Sequence, residues 1–208
     1  MTFKKFAQLI ITLLIIALLA LSPFLPGPSF LSGFAKFFYS TALVLSCFSI
    51  LFLPFGLWLI IVEMKRKVDN REYSFRLSSF FAFSISLTLI ICVFLGYKIR
   101  NFSRNIAISQ ANKIVVALET YRDANNVYPN ELINLQPKYL KTIPSSQIIG
   151  IPSFQYENLD STYRLFFKQE VLFDYNYELV SYNPHEDDNE EEEFLKTGYK
   201  NWAYYIVD

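Results

Sequence analysis

The chain has 208 residues, of which 52% are hydrophobic and 18% aromatic, and its 19 basic residues equal its 19 acidic residues in number. A formal net charge of zero gives no electrostatic reason to expect a nucleic-acid partner. The two cysteines, Cys47 and Cys92, both lie inside apolar runs. We interpret them as small packing residues, not as a disulfide or a metal site.

Two long apolar runs open the chain. The first covers residues 6–25 and follows two lysines. It is longer than the apolar region of a usual signal peptide and lacks an A-x-A site, so an uncleaved membrane helix is favoured over a cleaved leader. Pro26-Gly27-Pro28 ends this run, because Pro and Gly interrupt helices. The second run, residues 37–62, is uncharged and long enough to span a bilayer with some tilt, and we expect Pro54 to kink it.

The loop between the second and third apolar runs, residues 63–76, is the most basic part of the chain. Basic residues near the ends of membrane helices mark the cytoplasmic side. If the chain crosses three times, seven basic residues lie on the side of the N-terminus and this loop, and four on the other side. The opposing four are Lys36, Lys98, Arg100 and Arg104. The count predicts a cytoplasmic N-terminus and an extracytoplasmic C-terminal region.

Residues 77–126 organise the rest of the chain. They are apolar as far as Tyr97 and amphipathic beyond it, with no Pro and one Gly. We therefore predict one continuous helix that crosses the membrane and continues outside it. Its outer half carries an apolar stripe at helical spacing, formed by Ala107, Ala111, Ile114, Leu118 and Tyr121. The three apolar runs contain no charged residue, which argues against a transporter or channel.

The remaining residues, 127–208, change to a two-residue period. Asn126 can end the helix, and Asn130 is a candidate N-cap for a short helical piece that directs Leu132, Ile133 and Leu135 inward. Alternating aromatic residues then predict antiparallel strands at 154–157, 162–168, 172–182 and 202–208. The predicted fold is an α+β membrane protein with three transmembrane helices, the third packed on a small antiparallel sheet. The domains are the anchor (1–76), the third span with its outer helix (77–126) and the outer sheet region (127–208).

A run of aromatic, proline and leucine residues follows the amphipathic helix. Its members are Tyr128, Pro129, Leu132, Leu135, Pro137, Tyr139, Leu140, Ile143 and Pro144. Together with the helix before it and the hairpin after it, over residues 78–170, this run resembles the pseudopilin-like domain, in particular the C-terminal region of the major pseudopilins of type II secretion. The resemblance implies a pilin-like fold in the cell envelope, at the inner membrane of a bacterium, and a structural role for these residues.

The chain departs from that family at the start of the matching helix. True prepilins begin with a short basic leader, a Gly cleavage site and a Glu five residues into the mature helix. Here the matching helix is the third apolar run, Ser78 and Ser79 stand near its start, and no acid lies in its membrane half. We therefore expect a pilin-like domain on a three-span anchor, without prepilin processing or filament assembly.

An acidic stretch, residues 185–193, holds seven Asp and Glu residues after His185. A solvated loop is the favoured interpretation, because like charges repel and extend a chain. A calcium site is the alternative, since hard cations take clustered carboxylate oxygens. No nucleophile, phosphate-binding, dinucleotide or zinc motif is present, so we expect neither catalysis nor a bound cofactor.

Two classes of function remain. The first is a non-catalytic interaction or scaffold module that binds membrane lipid and a protein partner of the envelope. Aromatic residues are enriched at interfaces, and the candidate contacts are those that face solvent among Tyr177, Tyr182, Trp202 and Tyr204. The second is a ligand sensor or enzyme with a pocket at the helix–sheet junction. The sequence names no partner, ligand, pathway or oligomeric state.

Overall fold

The computed structural model describes residues 3–69, 77–159, 161–172, 176–184 and 194–207. Three helices come first, α1 (Phe3–Leu21), α2 (Ser32–Asp69) and α3 (Leu77–Asn125). Short 3-10 turns cover Ser22–Phe24, Ser29–Leu31 and Leu132–Leu135. The strands are β1 (Gln155–Asn158), β2 (Tyr163–Leu172), β3 (Asn176–Tyr182), β4 (Leu195–Lys196) and β5 (Trp202–Val207). The α+β class predicted from the sequence is confirmed.

All three helices are long and apolar enough to cross a membrane. Helix α3 runs without a break through residues 96–106, which confirms the prediction of one continuous helix. Helix α2 starts five residues earlier than the second apolar run and continues through Pro54. The end of α3 is also confirmed, because Asn126 has φ 60° and its N–H donates to the Arg122 carbonyl at 2.7 Å.

The chain divides into two compact units. Met1–Ser22 and Phe37–Lys98 form a helical unit, and Pro23–Lys36 and Ile99–Asp208 form an α+β unit. From the sequence we expected residues 23–36 to belong to the anchor alone. In the structure this connector between α1 and α2 is part of the α+β unit.

The connector is held by backbone hydrogen bonds to the segment 147–150. Phe24 is fully buried in the unit, and the Lys36 ammonium pairs with Glu170. The three hydrogen bonds join Gly27 N to Gln147 O (2.9 Å), Ile149 N to Leu25 O (3.1 Å) and Gly150 N to Pro23 O (2.9 Å). The α+β unit is thus built from two segments that lie far apart in the sequence.

The sheet is antiparallel throughout, with strand order β1-β2-β3-β5-β4. Because side chains alternate along a strand, one face packs on α3 and the other, which we call the distal face, points away from it. Leu165, Phe167 and Val180 are fully buried on the α3 side, against Ile114 and Leu118. The helix–sheet core expected from the two apolar patterns is present.

Two predicted elements differ in detail. Strand β2 extends to Leu172, so residues 169–171 form strand where the prediction left them between strands, and Leu172 belongs to β2 and not to the following strand. Residues 173–175 lie outside the described residues. Polar residues interrupt the apolar alternation at 169–170. They are accommodated because the Gln169 amide donates to the Arg100 carbonyl at 3.1 Å and to the Ser103 hydroxyl. The two-residue strand β4 was not predicted.

The short helical piece after Pro129 is a 3-10 turn preceded by Glu131, without a side-chain cap, so Asn130 is not its N-cap. Leu135 is fully buried, whereas Ile133 is 56% exposed, which corrects the prediction that both point inward. With three residues per turn, successive residues of a 3-10 turn point in different directions, so one such turn does not bury all of its apolar residues together.

Candidate functional site

The four aromatic residues proposed as contacts divide between the two faces of the sheet. Trp202 is 3% exposed, and its Nε1 donates to Asn112 Oδ1 of α3 at 2.8 Å. Tyr182 lies on the same face, pairs with Trp202 across β3 and β5, and has its ring centroid 5.3 Å from that of Trp202. Trp202 is therefore a core residue and fails the condition of solvent exposure that the sequence analysis set.

Tyr204 also faces α3. The Arg104 guanidinium stacks over its ring at 3.7 Å, which is a close cation–π contact. Tyr177 lies on the distal face, where the Lys168 ammonium is 4.6 Å from its ring centroid. Of the four candidates, Tyr177 is the one that lies on the distal face. The alternation of the strand sequence could not show which of its two faces would pack on the helix.

A cleft of about 290 Å³ lies on the distal face, near the end of β3. Its floor is apolar, and the rings of Phe194 and Tyr205 meet edge to face at 5.3 Å. Arg164, Thr162, Ser181 and Asn183 supply polar groups. The Thr162 hydroxyl is buried and has no hydrogen-bond partner in the part of the chain that the structure describes. An apolar cleft with a few polar groups is typical of sites that bind a small ligand or a peptide side chain.

The helix–sheet junction, where the sequence analysis placed an alternative ligand pocket, is filled by core side chains. Three buried charged residues lie where the part of α3 that follows the apolar run meets β3. Arg104 forms an ion pair with Glu178 Oε1, and Arg100 Nε lies 3.0 Å from Glu178 Oε2. Burial raises the pKa of the Glu178 carboxyl, and the positive charges of Arg104 and Arg100 oppose that effect. This cluster joins α3 to β3.

A second polar network surrounds Glu119 of α3. The Tyr163 hydroxyl donates to Glu119 Oε1 at 3.1 Å, and the Tyr128 hydroxyl donates to the same oxygen at 3.3 Å. Arg122 Nη1 lies 2.9 Å from Glu119 Oε2 and donates to the Tyr128 hydroxyl. Burial is the main reason why the pKa of both phenols is raised, and the negative charge of Glu119 raises it further. The network fixes the chain after α3 against the sheet.

The residues of the pseudopilin-like pattern build the layer that covers α3. Tyr128, Pro129 and Leu135 are buried, and the Pro129 carbonyl accepts a hydrogen bond from Tyr156 at 2.7 Å. Pro137 follows a cis peptide bond and is exposed. The others are partly buried, namely Leu132, Tyr139, Leu140 and Pro144. These positions contribute packing, and the distal cleft is formed by other residues.

Comparison of the chain with protein-family models, with curated proteins and with solved structures finds no match. The acidic stretch proposed as a possible calcium site, with His185, lies outside the described residues. Among the residues that the structure does describe, no group of three His, Cys, Asp or Glu side chains could hold a metal ion.

Proposed function

We propose that this protein is a membrane-anchored, pilin-like interaction module of the cell envelope that acts by binding and not by catalysis. Its three long helices span the cytoplasmic membrane of a bacterium. The N-terminus and residues 63–76, which include the end of α2, are cytoplasmic, and the α+β unit lies outside. Its distal face binds a protein partner.

The observation that carries the membrane topology is the composition of the α+β unit. The connector 23–36 and residues 99–208 pack into one unit. In a chain with three spans, the loop between the first two spans and the region after the third lie on the same side of the membrane. Two spans formed by α2 and α3 alone would also place these two regions on one side, because the chain then crosses twice between them. The composition of the unit therefore supports crossing by both α2 and α3, and the length and apolar composition of α1 support the third span.

Three of the four basic residues that opposed the predicted orientation have partners within the α+β unit, so their presence does not contradict that orientation. Lys36 pairs with Glu170, and both Arg100 and Arg104 pair with Glu178. These three have structural roles in the α+β unit, which explains their presence near membrane helices on the extracytoplasmic side. Lys98 is then the remaining exception to the positive-inside count.

The topology can be tested with single cysteines and a membrane-impermeant maleimide. Cys47 and Cys92 are first replaced by Ala, and a cysteine is then placed at Lys200 or at Ser74. In spheroplasts we expect labelling of Lys200→Cys without permeabilisation and labelling of Ser74→Cys only after it. Labelling of Ser74→Cys alone in intact spheroplasts would show that the orientation is the reverse of the one proposed. Protection of both sites would show that the α+β unit is not extracytoplasmic.

The binding role can be tested by photo-crosslinking in the native membrane. A photoreactive amino acid at Tyr205, on the distal face, should capture a specific neighbour that mass spectrometry identifies. The same amino acid at Asn105, on the exposed side of α3, is the matched control. Tyr177→Ala or Tyr205→Ala should weaken that partner's binding by about 2 kcal/mol if either is a hot spot. Equal capture from both positions, or turnover of a substrate by the purified protein, would contradict the proposal.

Binding of a small ligand in the distal cleft is a second candidate function. The buried hydroxyl of Thr162, which has no partner among the described residues, favours it, because such a group is satisfied by a bound polar atom. A fragment screen by saturation-transfer NMR should then find binders that Ser181→Trp excludes. A screen without binders that compete at this cleft would leave the protein partner as the function of the distal face.

A further inference from the structure

Three phenylalanine side chains, before and at the start of α2, are left largely exposed by the fold. Phe30, in the 3-10 turn before the helix, is 80% exposed, and Phe34 and Phe37, in its first two turns, are 70% and 66% exposed. Phe30 and Phe34 lie in the connector, which belongs to the α+β unit. Large apolar side chains that are exposed close together mark a surface for a membrane or for another chain.

Phe34 and Phe37 begin a continuous stripe of exposed residues along α2. The stripe occupies positions 34, 37, 41, 44, 48, 51, 55 and 58, and every one of these residues is exposed. Because the spacings alternate between three and four, the residues share one side of the helix. The one polar member, Thr41, donates its hydroxyl hydrogen to the Phe37 carbonyl at 2.8 Å. We call this set, which ends at Trp58, the exposed stripe of α2.

The other side of α2 is buried and carries the local charge. Ala35, Tyr39 and Leu43 are buried there. Lys36, the only charged residue between Phe30 and Trp58 in the sequence, is two positions from Phe34. Residues two positions apart in a helix point in nearly opposite directions. The Lys36 ammonium pairs with Glu170. The exposed stripe is therefore uncharged along its whole length.

Helix α2 is longer than the hydrocarbon core of a bilayer is thick. Its 38 residues extend over about 57 Å. The core is about 30 Å thick, and the headgroup regions bring the total to about 40–45 Å. The exposed stripe, from Phe34 to Trp58, is about 36 Å long. It is thus longer than the core and shorter than the whole bilayer, so its two aromatic ends fit the two interfacial regions, where aromatic rings concentrate.

We propose that Phe30 and Phe34 insert into the interfacial region of the bilayer on the side of the α+β unit, so that the connector contacts phospholipid directly. Apolar side chains of interfacial segments sink about 5–10 Å into the boundary between headgroups and acyl chains. From that depth the exposed stripe continues without a charge into the span of α2. The inference rests on the proposed crossing of the membrane by α2, and it adds a lipid contact made by the α+β unit itself.

The contact attaches the α+β unit to the membrane at a place other than α3. The connector is joined to residues 147–150 by three backbone hydrogen bonds and buries Phe24 in the core of the unit. A lipid contact of Phe30 and Phe34 is therefore transmitted to the folded unit. Because both side chains are exposed, their replacement should leave the fold intact, and the lipid contact can be measured by itself.

Fluorescence quenching by brominated lipid tests the contact in the full-length protein in phosphatidylcholine nanodiscs. In a Trp58→Phe background, tryptophan is introduced singly as Phe30→Trp, Phe34→Trp or Leu51→Trp, and the buried Trp202 remains as a constant signal. Bromines near the headgroup end of the acyl chains should quench Phe30→Trp and Phe34→Trp more strongly than bromines near the chain ends. Leu51→Trp, in the middle of the exposed stripe, should show the opposite order.

Val127→Trp is the matched control and should not be quenched. Val127 is an exposed apolar residue of the same unit, and it follows the end of α3, about 40 Å along the helix from Tyr97. Quenching of Val127→Trp to the same extent as Phe30→Trp would overturn the inference, because the contact would not be local to the connector.

The outcomes separate this inference from the proposed function. Quenching of Leu51→Trp without quenching of Phe30→Trp and Phe34→Trp overturns the inference and leaves the crossing of α2 in place. A protein partner on these side chains, in place of lipid, would give that result. Absence of quenching in Leu51→Trp as well would contradict the crossing itself, and the inference with it.

Cysteine labelling measures the same contact without adding an aromatic ring. In the Cys47→Ala, Cys92→Ala background, Phe30→Cys or Phe34→Cys is treated with a membrane-impermeant maleimide in nanodiscs, and Val127→Cys is the control. An apolar environment raises the pKa of a thiol, and each pKa unit lowers the reactive thiolate fraction about tenfold. We expect both connector cysteines to react about tenfold more slowly than the control, or slower still. Equal rates would overturn the inference, since the protein itself leaves positions 30 and 34 exposed.

Discussion

At the scale of single residues, the buried charges of the α+β unit determine how α3 is joined to the sheet. Glu178 is fully buried between Arg100 and Arg104, and its two oxygens face different guanidinium groups. A buried ion pair contributes little net stability compared with an apolar pair of the same volume, but removal of one member leaves the other charge desolvated and unpaired. Substitution of any of these three residues should therefore cost more stability than substitution of the residues around them.

Glu178→Ala should destabilise the α+β unit by about 3–5 kcal/mol, because two buried guanidinium groups lose their counter-ion. The change can be measured by chemical unfolding of full-length protein in detergent, followed by Trp202 fluorescence in a Trp58→Phe background. Glu157→Ala is the control, since Glu157 is exposed and lies 3.8 Å from Arg164. The control should change stability by no more than about 0.5 kcal/mol. Equal effects of the two substitutions would contradict the role given to Glu178.

Alkaline pH should destabilise the unit through its buried phenols. Burial raises the pKa of Tyr128, Tyr156, Tyr163 and Tyr182 above the usual value of a tyrosine. The unfolded chain therefore releases these protons at lower pH than the folded one, and the free energy of unfolding falls as pH rises above about 10. Below that pH the phenols are protonated in both states and contribute no slope.

Tyr163→Phe should reduce this alkaline slope by up to one proton, or about 1.4 kcal/mol per pH unit. The measurement is a series of unfolding curves between about pH 9 and pH 11.5. Tyr199→Phe, at an exposed position, is the control and should leave the slope unchanged. A slope that both variants share with the parent would mean that Tyr163 titrates alike in the folded and unfolded chains.

At the scale of elements, the connector is attached to the α+β unit by antiparallel backbone pairing with residues 147–150. Its hydrogen bonds to residues 147–150 require two backbones to approach closely. Gly150 makes this possible, because a Cβ at that position would lie 2.5 Å from the Pro23 carbonyl oxygen. A side chain there cannot be relieved by a rotamer change, since the obstacle is backbone.

Gly150→Ala should therefore loosen the connector and cost about 1–3 kcal/mol, the usual range for overpacking. Hydrogen exchange at the amides of Gly27 and Ile149 measures the local effect. Gly33→Ala is the matched control, because nothing lies within 4 Å of its added Cβ. In a helix that change should be neutral or slightly stabilising. Unchanged exchange in Gly150→Ala would show that the connector is not held as described.

At the scale of the whole molecule, the anchor and the α+β unit depend on one another. One membrane helix would be enough to tether the α+β unit. The two additional helices are explained if the connector between them completes the fold of that unit. A chain that starts at residue 77 loses buried Phe24, three backbone hydrogen bonds and the Lys36–Glu170 pair. A chain that starts at residue 23 loses α1 and keeps all of these.

We expect the chain from residue 77 to unfold several kcal/mol more easily than the full protein, since burial of one Phe alone is worth about 2–3 kcal/mol. The chain from residue 23 should retain most of the stability of the α+β unit. Unfolding curves in the same detergent compare the three proteins. If both shortened chains lose the same stability, the effect belongs to α1 and not to the connector.

The sequence by itself determined the elements whose signal is local. The apolar runs, the continuous α3 and the alternation of the strands depend on residues a few positions apart, and all three were predicted correctly in kind. The end of α3 at Asn126 was also predictable, because Asn tolerates a positive φ. Polar residues made the prediction fail at 169–172, where the Gln169 amide nitrogen donates to the Arg100 carbonyl and the Ser103 hydroxyl of α3.

Only the tertiary structure decided which face of the sheet packs on α3 and which points away from it. A period of two marks two faces without saying which one packs, so Trp202 and Tyr177 look alike in the sequence although one is core and the other lies on the distal face. The connector and the distal cleft bring together residues that are separated by tens of positions, such as Pro23 with Gly150 and Arg164 with Tyr205. Such contacts are set by chain folding over long separations, for which one sequence contains no periodic signal.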